Sequence, residues 1–320
     1  PEKRGKSWFL LEMGLRAIRQ KANVAFFEAG DMTEAQILRR ICIYITQNSD
    51  REKYCEERFR PVGDCVLNQL DLCTRDDRNC THGIFDTSMA GFYKEYAKYM
   101  NINTLTSKYE EYPEYSPCDS HTCQDRRGSV WIRRMPKVSP LTAKEAKEKV
   151  SEFFLRWKRH FRLITYPAGL LTMSELRRCL DNWDRQDGFV PDIVIVDYAD
   201  LLSADDIGVS EFRHRQDYLW KNLRALSQER HILLLTATQA DADSYTRGRL
   251  SLSNFSEDKR KLSHVTAQYG LNQDPEGREK KLGIMRINEI VVREGEFSPD
   301  NEVYVLQDLA AGRPFLESFV

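Results

Sequence analysis

Three short segments of this chain are apolar almost from end to end, and each is bracketed by helical patterns. They are Asn23–Glu28 (NVAFFE), Asp192–Val196 (DIVIV) and His231–Ala237 (HILLLTA). None alternates as a half-exposed strand would. A strand apolar on both sides must be covered on both, which is the condition of a parallel sheet between helical layers. The helical patterns fit that reading. Residues 7–22 place Trp8, Leu11, Leu15 and Ile18 on one face, and Thr33–Gln47 is amphipathic with Thr33 as its N-cap. A long helix runs from Thr142 to about His160, then a strand Phe161–Tyr166. Helices follow at 172–186, ended by Gly188, and at 211–230. A helix at 257–268 and strand-like runs at 283–292, 302–307 and 314–319 complete the chain. The fold expected is α/β, with a mainly parallel twisted sheet flanked by helices.

The ends of these strands carry the polar residues that such a fold uses. Pro1-Glu2-Lys3-Arg4-Gly5-Lys6-Ser7 matches the phosphate-binding pattern G-x-x-x-x-G-K-[ST] except for its first glycine, which would stand one position before Pro1. The pattern therefore expects a feeding strand ahead of Pro1. Arg4, Gly5, Lys6 and Ser7 are the nucleotide-binding candidates, with Lys6 on the β/γ-phosphates and Ser7 on Mg²⁺. ATP is the leading ligand. Asp197 follows DIVIV at the carboxyl end of its strand, where ligands of open α/β sheets sit, and is the second Mg²⁺ candidate.

Hydrolysis needs a carboxylate to orient and deprotonate water. Asp31 and Glu28, in FEAGDM, are both in reach if their strand neighbours the phosphate loop. Asp31 could instead cap the helix that follows. Gln239, beyond HILLLTA, is placed to touch a γ-phosphate. The polar segment after it carries Arg247, Arg249, Lys259, Arg260 and Lys261, which either face nucleic acid or form a solvated loop.

Composition limits the remaining possibilities. Lys+Arg 48 against Asp+Glu 49 leaves no net field, so any nucleic-acid surface must be local. No apolar stretch approaches the roughly 20 residues of a membrane span. Residues 50–135 break the helix-strand rhythm and crowd Cys55, Cys65, Cys73, Cys80, Cys118 and Cys123 together. A reducing cytoplasm and a Zn²⁺ site fit this better than a disulfide scaffold. Cys65, Cys73, Cys118 and Cys123 make the best quartet, with Cys80 as rival and His82 and His121 nearby. The alternative is a set of reduced thiols. Tyr109, Tyr112, Tyr115, Arg126, Arg127, Trp131, Arg133 and Arg134 either clamp a nucleic-acid strand or form the small core of this insertion.

Together, PEKRGKSWFLLEMGLRA, VAFFEAGDMTEAQILRRI, PDIVIVDYADLL, ILLLTATQAD and LGIMRINEIVVREGEFSPDNEVYV resemble the RecA-like ATPase core of the DnaB-type replicative helicases, in their phage-like branch. The resemblance covers 1–49 and 136–320 and leaves 50–135 as an irregular, zinc-binding insertion. It implies a cytoplasmic hexameric ring, in a bacterial or phage-infected cell, that couples ATP hydrolysis to movement along single-stranded DNA. It favours Asp31 as the base, although most relatives carry Glu there. It implies that Arg293, in Val291-Val292-Arg293, inserts into a neighbouring subunit's site. The usual Lys two residues earlier is absent, and Arg286 is a possible substitute; an ordinary strand-end arginine is the other reading of Arg293. Two other functions stay open: a RecA-like recombination or regulatory ATPase without unwinding, and a zinc-stapled nucleic-acid-binding scaffold with an inactive nucleotide site.

Overall fold

The computed structural model describes residues 5–78, 82–85, 101–120, 122–157, 160–204, 212–240, 248–258, 260–298 and 300–320. Among these, the strands in chain order are β1 (Val24–Glu28), β2 (Arg58–Cys65), β3 (Gly128–Met135), β4 (Phe161–Thr165), β5 (Ile193–Asp197), β6 (Leu233–Thr236), β7 (Ala267–Asn272), β8 (Ile284–Val292), β9 (Glu302–Asp308) and β10 (Arg313–Phe319).

The first sheet is parallel, in the order β4-β1-β5-β6. Its strands are apolar throughout because both faces are covered. Val24, Phe26 and Ile195 pack under helices α1 (Lys6–Arg19) and α2 (Glu34–Thr46), with Phe153, Phe154 and Trp157 of the helix Ala143–Trp157. The alternate residues Ala25, Phe27, Val194 and Val196 face Leu176 and Leu180 of helix Met173–Asp187 and Leu219 and Leu223 of helix Phe212–Arg230. Fully burying one such side chain contributes about 1.5–3 kcal/mol. The start of α2 is set by Thr33, whose hydroxyl accepts from Gln36 N while the Gln36 side chain accepts from Thr33 N.

The C-terminal strands form a second sheet, β10-β9-β8-β7, which is antiparallel throughout. Short returns allow no crossover helix, and that forces antiparallel pairing. Most of the helix expected over 257–268 is replaced. Only Arg260–Ser263 is α-helical, and Ala267–Asn272 pairs with β8 instead.

The cysteine-rich segment has a regular element that its sequence hid. β2 and β3 pair antiparallel from Arg58↔Met135 to Cys65↔Gly128, and helix Ile102–Glu111 packs on them. Trp131, Ile132, Leu105 and Tyr115 join Leu282, Ile284 and Leu306 in one cluster, so the insertion shares its core with the antiparallel sheet. Tyr115 meets Trp131 edge-on at 5.0 Å. Arg58 pairs with Asp308 at 2.7 Å and Arg126 with Glu317 at 3.0 Å across the same interface.

The zinc expectation finds no support among the described residues. Among the described residues, no group of three or more His, Cys, Asp or Glu side chains is arranged to hold a metal ion. Cys80 and His121 lie outside the described residues. Cys65 Sγ accepts a hydrogen bond from Arg127 N at 3.4 Å, while Cys73 and Cys123 are half-exposed free thiols. Asp64, in contrast, is wholly buried and densely bonded. Its Oδ1 accepts from Cys65 N (2.7 Å), Cys118 N (2.8 Å) and Asn68 Nδ2 (3.3 Å), and its Oδ2 from Gln69 Nε2 and Tyr115 OH (both 2.8 Å). Burial pushes the Asp64 carboxyl up, and the donors pull it part of the way back. No described helix is long and apolar enough to cross a membrane.

Candidate nucleotide site

The parallel sheet brings the polar strand ends to one edge. The register sets Glu28 of β1 directly beside Asp197 of β5, and Ala29 N donates to Asp197 O at 2.9 Å. The N-terminus of α1 opens at the same place. Gly5 caps it at φ +83°, a left-handed conformation that side chains other than glycine's rarely adopt. Among the described residues no side chain caps this end and no acidic residue stands in its first turn, so its N–H groups and positive dipole end suit an anion.

Asp197 is fully buried, and among the described residues neither of its oxygens has a hydrogen-bond partner. Burial pushes its carboxyl up to about 6. The Ser7 hydroxyl lies close enough to favour the charge, without a bond of ordinary geometry. Glu28 is also fully buried and is pushed up to about 7, first by burial and then by the Asp197 charge. Its Oε1 accepts from Asp31 N (2.9 Å) and Met32 N (3.0 Å), while Oε2 is buried without a partner. Asp31 itself is exposed. It is not the helix cap, since Thr33 has that role. The turn between the two acids depends on Gly30: a Cβ there would stand 2.3 Å from the backbone of Ala168, and φ is +109°.

Lys6 Nζ donates to Thr238 O at 3.4 Å and lies 5.0 Å from the Tyr198 ring centre. Gln239 Nε2 donates to Tyr198 OH at 2.8 Å. Lys6, the end of β5 and the end of β6 thus meet around one tyrosine.

Other expected residues lie apart from this edge or outside the description. Arg4, Arg247 and Lys259 lie outside the described residues. Arg260 opens the short helix Arg260–Ser263. Arg249 is 4.0 Å from Glu302, and Lys261 pairs with Asp200 at 2.7 Å. Arg286 is committed to Glu279 (2.6 Å), Glu302 (3.2 Å) and Gly248 O (2.8 Å), which leaves it no free guanidinium edge to lend in place of the absent Lys. Arg293 follows β8 and donates to Leu262 O (3.4 Å) and Ser263 O (2.5 Å).

Residues not singled out from the sequence complete the edge. Arg40 of α2 lies over the Trp8 ring at 5.3 Å and in the field of Asp197, Glu28 and Asp31. Its Nη1 is buried without a partner, and burial lowers its pKa against the pull of the three acids. The signal was present: Arg40 shares the Ile37, Ile41, Tyr44 stripe, where a charge needs a reason.

No protein-family model matches the chain, and no curated protein matches it. Solved structures do. The ATPase domain of one DnaB-like helicase is similar over 99% of this chain and 82% of its own, with a TM-score of 0.59 and 12% identity. A DnaB-like replicative helicase, described with its interactions with primase, is similar over 99% of this chain and 57% of its own, again with a TM-score of 0.59 and 12% identity.

The fold is that of a DnaB-like helicase ATPase domain. At 12% identity the likeness speaks for the fold, and the site rests on the residues described above. Those residues fit a phosphate-bound divalent cation. Orphaned oxygens on Asp197 and Glu28 and an orphaned N–H on Arg40 converge near the α1 N-terminus, where each would find a partner in a hydrated cation or an anion.

Proposed function

We propose that the chain is the ATP-dependent motor domain of a DnaB-type helicase, coupling Mg-ATP hydrolysis to movement along single-stranded DNA within a hexameric ring in the cytoplasm. The carrying observation is the set of buried, partnerless polar atoms of Asp197, Glu28 and Arg40 beside Lys6 and Ser7. A buried polar group without a partner costs about 1–3 kcal/mol, so three such groups facing one helix N-terminus make sense as a site awaiting its ligand.

In this reading the backbone N–H groups at Gly5–Ser7 and the Lys6 ammonium hold the β- and γ-phosphates. Ser7 and Asp197 hold Mg²⁺, directly or through water, and the cation supplies charge neutralisation on the phosphates. Glu28 and Asp31 share the work on water. Asp31 is the exposed carboxylate on the turn. Glu28 orders that turn by accepting from Asp31 N, and its pKa of about 7 suits proton acceptance at neutral pH. Gln239, at the end of β6, reports the γ-phosphate, and Arg293 serves the neighbouring subunit's site. Arg249 lies on the side of the domain that serves the DNA.

The test is ATP hydrolysis with and without single-stranded DNA. Strong stimulation supports the motor. Hydrolysis without stimulation moves the reading to a regulatory RecA-like ATPase, and no hydrolysis by folded protein with Mg²⁺ overturns it.

A further inference from the structure

Asp200 stands three residues after Asp197, in the single turn Ala199–Leu201, and is bonded in two directions. Its Oδ2 accepts from Thr238 Oγ1 (2.7 Å) and Gln239 N (3.2 Å), at the end of β6. Its Oδ1 accepts from Lys261 Nζ at 2.7 Å. Both side chains are largely shielded, at 15% and 14% exposure, so the pair is less screened than a surface bridge. Lys261 also lies 5.9 Å from the Trp220 ring centre.

The residues next to Lys261 hold Arg293, through Leu262 O and Ser263 O. Thr266 O accepts from Arg293 N at 3.0 Å. The whole segment rests on helix Phe212–Arg230 through His264 with Asp217 (3.0 Å) and Arg224 with Thr266 (2.6 Å). A contiguous polar chain therefore runs from Lys6, over Tyr198 and Gln239, through Asp200 and Lys261, to Arg293.

We infer that Asp200 and Lys261 are positioning residues that transmit the state of this chain's nucleotide site to Arg293. The inference rests on the proposed function, in which Gln239 senses the γ-phosphate and Arg293 serves a neighbour. A γ-phosphate that draws Gln239 off Tyr198 shifts the backbone N–H held by Asp200. The carboxylate carries that shift to Lys261 and so to the carbonyls that hold Arg293. Continuity alone is not coupling; a ligand at one end must change the other.

The experiment uses the full chain and Lys261→Met, which keeps the apolar stem against Trp220 and removes the ammonium, with Lys261→Arg as the conservative variant. Binding of a fluorescent ATP analogue with Mg²⁺ is titrated, and amide hydrogen exchange is followed over 260–266 and 290–294 with and without the nucleotide. The parent is expected to change exchange in both segments on binding. Lys261→Met is expected to bind within about twofold of the parent, lose at least roughly three-quarters of that exchange response, and show a Hill coefficient for hydrolysis reduced toward 1. Lys261→Arg is expected to restore both. A Lys261→Met protein that binds normally and keeps the full exchange response overturns the relay alone. A folded parent that binds no nucleotide overturns the proposed function and the relay with it.

Discussion

Two aspartates of this chain, Asp197 and Asp64, are both fully removed from solvent, and their surroundings are opposite. Asp64, on β2, lies inside the insertion and accepts from five donors, on both oxygens. Asp197 ends a central parallel strand and, among the described residues, has no hydrogen-bond partner on either oxygen. Burying a carboxylate costs several kcal/mol unless donors or a counter-charge compensate. Asp64 is compensated within the fold, by donors that its own segment supplies. Asp197 is left for a ligand to compensate. Satisfied buried charge reads as architecture here, and orphaned buried charge reads as a binding site.

The strongest challenge to this contrast is kinetic. Asp197→Asn is expected to lower ATP hydrolysis by about 10²–10³-fold while the protein remains folded; steady-state turnover alongside circular dichroism checks both. Turnover close to the parent's would remove Asp197 from the site. Asp64→Ala is expected to do the reverse. It strands several buried donors and should cost about 3 kcal/mol or more in denaturant melts, with the loss of hydrogen-exchange protection concentrated at Arg58–Cys65 and Gly128–Met135. A uniform loss of protection across the parallel sheet would contradict the local role.

A third expectation concerns pH. The Glu28 carboxyl lies at about 7 in the folded protein against an ordinary 4.5, and Asp197 moves in the same direction. A folded pKa above the unfolded one contributes stability below about pH 4.5 that is lost as pH rises through about 7. Ligand-free protein should therefore lose stability on these groups between about pH 4 and 7, on the order of 1–3 kcal/mol. Glu28→Gln should flatten that slope in thermal melts, and saturating Mg-ATP should oppose the loss. An unchanged slope in Glu28→Gln would place the titration elsewhere. The smallest effect is expected from a strong zinc chelator, which should leave the melting temperature within about 1 °C, since the insertion shares its apolar core with the antiparallel sheet. A large drop would restore a metal to this region.

The parallel sheet was legible because its physics is written locally. Wholly apolar runs such as DIVIV mean cover on both faces, and Val194 and Ile195 do face opposite helical layers. The strand-end positions of Glu28 and Asp197 follow from the same runs. The β2–β3 pair was not legible. Arg58–Cys65 carries Pro61, Gly63 and Asp64, which argue against a strand, and its partner lies far along the chain at Gly128–Met135. The helix expected over 257–268 ran too far: only Arg260–Ser263 is α-helical, and Ala267 and Gln268 pair with β8 as the start of β7.

The sequence by itself determined the layered α/β core and the placing of Glu28 and Asp197 at neighbouring strand ends, because each rests on short-range pattern. Only the tertiary structure decided that Asp64 gathers five donors inside the insertion, that Arg40 enters the acidic cluster, and that Asp200 joins β6 to the segment holding Arg293. Those facts depend on which buried polar atoms find partners, and partners distant in sequence are brought together only by the packed fold.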